Sequence, residues 1–206
     1  MQRIIMHWTA GKNTVSDIDR DHYHFIVDGA GAVHEGKHPV SDNESTSDGV
    51  YAAHTKACNT GSIGVAMAAM MGAKESPFSA GPCPITPVQY IEFTRLVARL
   101  ARQYSIKVTH TTILTHAEVQ PTLKIAQRGK WDITWLPTMA RVDDPLKVGD
   151  RIRNDVKNAM AAHVPTKPLE LLASDRFPPI NPPEPAAKPA WAGILSTLFN
   201  LFRKGN

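Results

Sequence analysis

Apolar positions fall first into short runs and alternations, and only later into a helical stripe. From Arg3 to Thr9, Ile4 and Ile5 lead into His7, which reads as a buried strand closed by Ala10-Gly11. Ser16-Asp17-Ile18-Asp19 has the pattern that caps a single helical turn. His22 to Asp28 is aromatic and β-branched with period two and predicts a strand. Gly29-Ala30-Gly31 then turns the chain so that Ala32 to Gly36 can return as the hairpin partner. Lys37 to Val50 is polar and irregular, the pattern of a surface loop. Ser62 to Met70 is apolar and built of small residues, and its first half predicts a central strand. Glu75 to Pro84, rich in Pro and Gly, predicts a loop.

The helical period begins at Thr86, a capping residue. Val88, Ile91, Phe93, Leu96, Val97, Leu100 and Tyr104 follow it, with Arg95, Arg99 and Arg102 on the outside, and this stripe reads as core. Lys107 to His116 is β-branched and predicts a strand that ends, or a loop that begins, at His116. A second helix is predicted from about Leu146 to His163, burying Val148, Ile152, Val156 and Met160. Strands alternating with helices around a small-residue central strand point to an α/β sheet with helices on its faces.

The composition shifts after Val164, so a domain is expected over 1–164. Pro165, Pro168, Pro178, Pro179, Pro182, Pro183, Pro185 and Pro189 are half of the chain's 16 prolines, and they predict an extended linker over 165–189. Residues 190–206 return to helical periodicity, with Trp191, Ile194, Leu195, Leu198 and Phe202 on one face and Arg203-Lys204 at the end. That face suits either docking on the domain or lying in a membrane interface.

Charge and cysteine content narrow the function classes. A net charge of +4 suits an anionic partner such as a cell wall, a membrane surface or nucleic acid. The chain has no basic run, zinc-finger spacing or P-loop, so a nucleic-acid partner is not expected. Two cysteines, Cys58 and Cys83, make no disulfide framework and are expected as free thiols. The N-terminal run lacks the pattern of a secretory signal, which implies synthesis in the cytoplasm. No apolar stretch reaches the roughly 18 residues of a membrane-spanning helix.

Candidate chemistry gathers in Thr115 to Asp132, which holds His116, Lys130 and Asp132. A catalytic zinc takes three protein ligands and keeps one position open, so His116 and Asp132 need a third, and His7 on the first strand is the candidate. Taken singly, His7 reads as a core histidine and Asp132 as a cap. In a chain with nine histidines the spacing alone is a weak signal.

The order of the surrounding blocks adds to it. They are Ile5-Met-His7-Trp-Thr9-Ala, Tyr23 to Gly36, His54 to Val65, His116-Ala-Glu-Val119, and Lys130-Trp-Asp132. In this order they resemble the type 2 N-acetylmuramoyl-L-alanine amidase family, which includes phage lysozyme-amidases and peptidoglycan recognition proteins, over roughly residues 3–160. The resemblance implies a mixed central sheet flanked by helices. It also implies a Zn2+ ion held by His7, His116 and Asp132, the last standing where the family has cysteine or aspartate. Lys130 matches a lysine that stabilises the developing oxyanion, and Tyr23 a tyrosine beside the zinc-bound water. His54 opens the segment resembling the wall of the substrate cleft, and Asn59 and Thr60 are candidate contacts to the peptide stem. Glu118 stands where the family more often has a structural salt bridge than a base. His22, His24, His34 and His38 are expected at the surface or at strand edges.

The implied reaction is hydrolysis of the amide between N-acetylmuramic acid and L-alanine in peptidoglycan, as in a phage or prophage endolysin acting on the wall after release. A cytoplasmic amidase that recycles muropeptides and a non-catalytic peptidoglycan-binding module are the alternatives. The chain departs from the phage enzymes in a short segment between His7 and Tyr23. It departs also in a longer His116–Lys130 connection, where Leu123 to Arg128 looks inserted.

Overall fold

The computed structural model describes residues 1–162; the linker expected over 165–189 and the helix expected over 190–206 lie outside the described residues. Five strands form one mixed sheet: β1 (Arg3–Trp8), β2 (Phe25–Val27), β3 (Val33–Glu35), β4 (Ser62–Met67) and β5 (Ile113–Thr115), in the spatial order β3-β2-β4-β1-β5. Only the β2–β3 hairpin is antiparallel. Among the described residues, four α-helices accompany the sheet: α1 (Asp17–His22), α2 (Pro87–Gln103), α3 (His116–Leu123) and α4 (Pro145–Ala162). The expected α/β sheet with flanking helices is therefore what the chain forms, and β4 is its central strand. Among the described residues, no helix is long and apolar enough to cross a membrane.

Strand alternation divides the sheet into two unlike faces. Ile4, Met6 and Trp8 of β1, with Ile63, Val65 and Met67 of β4, join Phe93, Leu96, Val97 and Leu100 of α2 and Val148, Ile152 and Val156 of α4 in the main core. The intervening residues face the other way. Ile5 packs with Cys58 and Val119, and Ile26 packs with Ala66 and Ala68. His7 lies on this second face between those two small clusters. Its neighbours on β4 are Gly64 and Ala66, whose small side chains leave room above the sheet.

Capping chemistry sets the helix boundaries. Ser16 caps α1 through a reciprocal box with Asp19, so the expected turn extends over six residues. Thr86 caps α2 in the same way with Gln89, and Pro87 occupies the first helical turn, where its missing N–H costs nothing. Gln89 is buried and donates to the carbonyls of Val27 and Ala68, tying α2 to β2 and β4.

Four expectations need correction. The strand expected over His22–Asp28 is only Phe25–Val27, because His22 completes α1 and Tyr23 is its C-cap. The loop Lys37–Val50 contains a 3-10 turn over Val40–Glu44, with Val40 and Asn43 buried; the Asn43 side chain bonds both backbone groups of Ala52, which a polar pattern cannot reveal. Val88 and Ile91 are 46% and 48% exposed, so the buried stripe of α2 starts a turn later than its apolar period. Finally, His116 begins a helix, α3, which runs through Pro121 and ends where Lys124 adopts a left-handed conformation.

Candidate metal centre

The two ends of the candidate site meet because β1 lies beside both β4 and β5. Met6 is in register with Thr115, which sets His7, near the end of β1, beside His116, the first residue of α3. The Lys130-Trp131-Asp132 segment is then fixed at two points. The Trp131 ring meets Trp8 edge-on with centroids 4.8 Å apart, and the Asp132 carbonyl accepts the Ala117 N–H at 2.6 Å.

His7, His116 and Asp132 are all buried, and one ligand atom from each lies within 4.8 Å of the others. Asp132 Oδ2 is 3.0 Å from His7 Nδ1 and 3.1 Å from His116 Nδ1. Ligands around a tetrahedral zinc with bonds near 2 Å stand roughly 3.3 Å apart, close to the two distances to Asp132.

Protonation favours the same conclusion. Burial drives the His7 imidazole down to about 4 against the opposing hydrogen bond to Asp132, so it is neutral at pH 7. Burial pushes the Asp132 carboxyl up, but hydrogen bonds from His116 and His7 outweigh it and hold it at about 2. His116 Nε2 stands 2.9 Å from Gln127 Oε1, an acceptor, so this nitrogen carries the proton. His116 Nδ1 stands 3.1 Å from Asp132 Oδ2. Two imidazoles and one carboxylate are a donor set that suits zinc.

The remaining candidates take distinct places. The Tyr23 ring packs against His7 with centroids 5.2 Å apart, and burial, helped by Asp132, raises its phenol well above the usual value. Lys130 is exposed, at the rim, and near enough for its charge to act on His7. His54, expected on the cleft wall, is buried behind His7, its Nδ1 3.3 Å from His7 Nε2. Thr55 Oγ1 lies 3.3 Å from the same His7 nitrogen and 2.8 Å from His54 Nδ1. The Asn59 side chain accepts the Thr55 N–H at 2.8 Å, which supports this turn. Thr60 is exposed and bonds Thr46.

Three further readings are settled by contacts. Glu118 is fully buried in an ion pair with Arg153 at 2.9 Å and is a structural residue, as the resemblance implied. His24, expected at the surface, is buried: its Nδ1 accepts the Gly64 N–H at 2.9 Å. Cys58 and Cys83 are free. Sequence reasoning missed Thr55, Gln127 and Arg153. Nothing in their local pattern marks them, because each acts on a residue at least eleven positions away.

The family model described as N-acetylmuramoyl-L-alanine amidase matches residues 1–134. Among solved structures, the chain is similar to the N-acetylmuramoyl-L-alanine amidase LysC from Clostridium intestinale URNW, with 17% identity over 74% of this chain and 85% of that one, TM-score 0.44. It is similar also to the N-acetylmuramyl-L-alanine amidase AmiD from E. coli, solved with anhydro-N-acetylmuramic acid-L-Ala-D-gamma-Glu-L-Lys, with 18% identity over 57% and 48%, TM-score 0.42. No curated protein matches the chain.

Proposed function

The chain belongs to the N-acetylmuramoyl-L-alanine amidase family, and from that premise we propose that it is a zinc-dependent hydrolase of the amide between N-acetylmuramic acid and L-alanine in peptidoglycan, acting as a cell-lytic endolysin. The observation that carries the proposal is the convergence of His7, His116 and Asp132, with two histidine nitrogens aimed at one carboxylate oxygen. A non-catalytic binding module would have no use for that complete donor set. The net charge of +4 suits a polyanionic wall.

Amide hydrolysis is slow because the carbonyl is a weak electrophile and an amine leaves poorly. Zinc, when bound, supplies a Lewis acid for the carbonyl and lowers the pKa of a bound water to about 7. His7 and His116 would hold it as neutral ligands, and Asp132 as the anionic one. The Lys130 ammonium at the rim balances negative charge as the carbonyl carbon becomes tetrahedral. Tyr23, whose phenol stays protonated at neutral pH, serves this site as a hydrogen-bond donor and not as a base. Water adds to the carbonyl carbon, the C–N bond breaks, and the nitrogen leaves protonated as the free amino group of L-alanine.

Mass spectrometry of digested peptidoglycan tests the reaction. New L-alanine amino termini on released peptides are expected, and both their appearance and wall lysis should vanish with a chelator or with His116→Ala. New reducing sugars without those termini, or lysis that survives metal removal, would overturn the proposal.

A further inference from the structure

The connection that follows α3, Lys124 to Arg128, buries one polar side chain. Gln127 is 4% exposed, while Lys124, Ala126 and Arg128 around it are exposed or half-buried. Its backbone is tied to α3 by the Gln120 side chain, whose Oε1 accepts the Gln127 N–H at 2.9 Å. Its amide has only one arrangement that satisfies every neighbour. Nε2 donates to the Lys56 carbonyl at 3.0 Å and to the Ile125 carbonyl at 3.3 Å, so Oε1 must be the atom that faces His116 Nε2 at 2.9 Å.

From this geometry we infer that Gln127 is the positioning residue of the metal centre, fixing the His116 ring and its tautomer so that Nδ1 is presented as the ligand atom. The inference rests on the zinc reading above. An imidazole offers either nitrogen to a metal, and the nitrogen that binds is decided by what the other one donates to. Partners of this kind orient the ring and raise its basicity, and removing one typically weakens metal binding about 10–100-fold. Gln127 meets the requirement through a neutral acceptor whose own two hydrogens are pinned by main-chain carbonyls, so the amide cannot turn to offer a donor instead. The connection after α3 thus contributes to the site from outside the ligand set.

Two substitutions separate this role from a merely structural one. Gln127→Met keeps the volume and removes the acceptor together with both donated bonds. Gln127→Glu keeps an acceptor toward His116 but gives up the donations to Lys56 and Ile125. Zinc dissociation constants from chelator competition should rise about 10–100-fold for Gln127→Met and stay within about threefold of the parent for Gln127→Glu. In the zinc-loaded parent, nitrogen-15 spectra of the imidazoles should show the His116 proton on Nε2. Equal weakening in both variants would show that the loop bonds matter and the acceptor does not, which overturns the inference. An unchanged zinc affinity in Gln127→Met, or metal on His116 Nε2, would overturn it too while leaving the zinc reading intact. A parent protein that takes up no zinc would overturn the zinc reading, and this inference with it.

Discussion

Gly64 is the residue that lets His54 stand behind His7. A Cβ at position 64 would lie 2.5 Å from the Cγ and Cδ2 atoms of the His54 ring and 3.0 Å from its Cβ, so no larger residue fits while that ring keeps its place. The ring has little freedom to retreat, because it is flanked edge-on by His7 and His24 at 5.3 and 5.8 Å between centroids.

Gly64→Ala is therefore expected to destabilise the protein by roughly 1–3 kcal/mol, the usual cost of inserting a methyl into a filled interior. The small gain in strand propensity works the other way and is outweighed. Denaturant titration measures the first effect. Because His54 contacts His7, the same variant should also weaken zinc binding. A variant as stable as the parent with equal zinc affinity would mean that the ring is not wedged.

Lys130 is expected to behave differently from the three ligands. It is exposed and bonds none of them, so Lys130→Ala should leave zinc content and thermal stability nearly unchanged. If its charge acts only as the carbonyl becomes tetrahedral, kcat should fall about 100–1,000-fold, or roughly 3 kcal/mol, with KM little altered. Asp132→Asn should instead lose the metal. Steady-state kinetics beside metal analysis distinguishes the two classes, and a Lys130→Ala enzyme that loses zinc would place the lysine among the groups that build the site.

These contrasts bear on what a chain of letters can disclose. β1, β4, α4 and α2 from Phe93 onward were legible because their apolar periods agree with their burial, and Ser16 and Thr86 announce their helices through capping boxes. The buried His7–His116–Asp132 cluster was legible only through the order of blocks around those residues, since a buried histidine on a strand looks the same whether it binds metal or not. α3 escaped because Pro121 interrupts its apolar pattern, although the Thr115-x-x-Glu118 spacing marks its start and Glu118 does accept the Thr115 N–H. Gln127 and Thr55 were invisible for a related reason. A polar residue in a polar segment gives no sign that the fold will turn it inward.

His24 predicts how the fold responds to acid. Burial, opposed by the Asn43 side chain, drives its imidazole down to about 4. The unfolded chain binds that proton near pH 6.5, so between pH 6.5 and 4 the unfolded state holds more protons and folding stability falls as pH is lowered. Fully developed, this one group contributes on the order of 3 kcal/mol, present above about pH 6.5 and gone below about pH 4. His24→Asn keeps an acceptor near the Gly64 N–H and removes the titration. Its stability should be lower than the parent's at pH 7, and it should decline less between pH 6.5 and 4. Parallel pH profiles for parent and variant would mean that His24 is protonated in the folded state.

Glu118 supplies the last prediction, because it stands two residues from His116 yet is tied into the scaffold. Its Oε2 accepts the Thr115 N–H at 2.8 Å and the Arg153 Nη1–H at 3.1 Å, and Arg153 also donates to the Ile113 carbonyl at 2.9 Å. One carboxylate thus joins the end of β5, the start of α3 and the middle of α4. Gly149 on α4 makes the approach possible, since a Cβ there would lie 2.1 Å from the carboxylate. Glu118→Gln leaves the buried guanidinium with only Asp150 as an anionic partner and should cost roughly 3 kcal/mol of stability. Gly149→Ala should cost a comparable amount by forcing α4 off the same carboxylate. Neither change removes a group from the reacting atoms, so each variant, assayed well below its melting temperature and saturated with zinc, should turn over substrate within a few-fold of the parent's rate. If folded, zinc-loaded Glu118→Gln were instead slower by about two orders of magnitude, the size expected for a lost transition-state contact, while Gly149→Ala stayed active, Glu118 would belong to the chemistry and not to the frame.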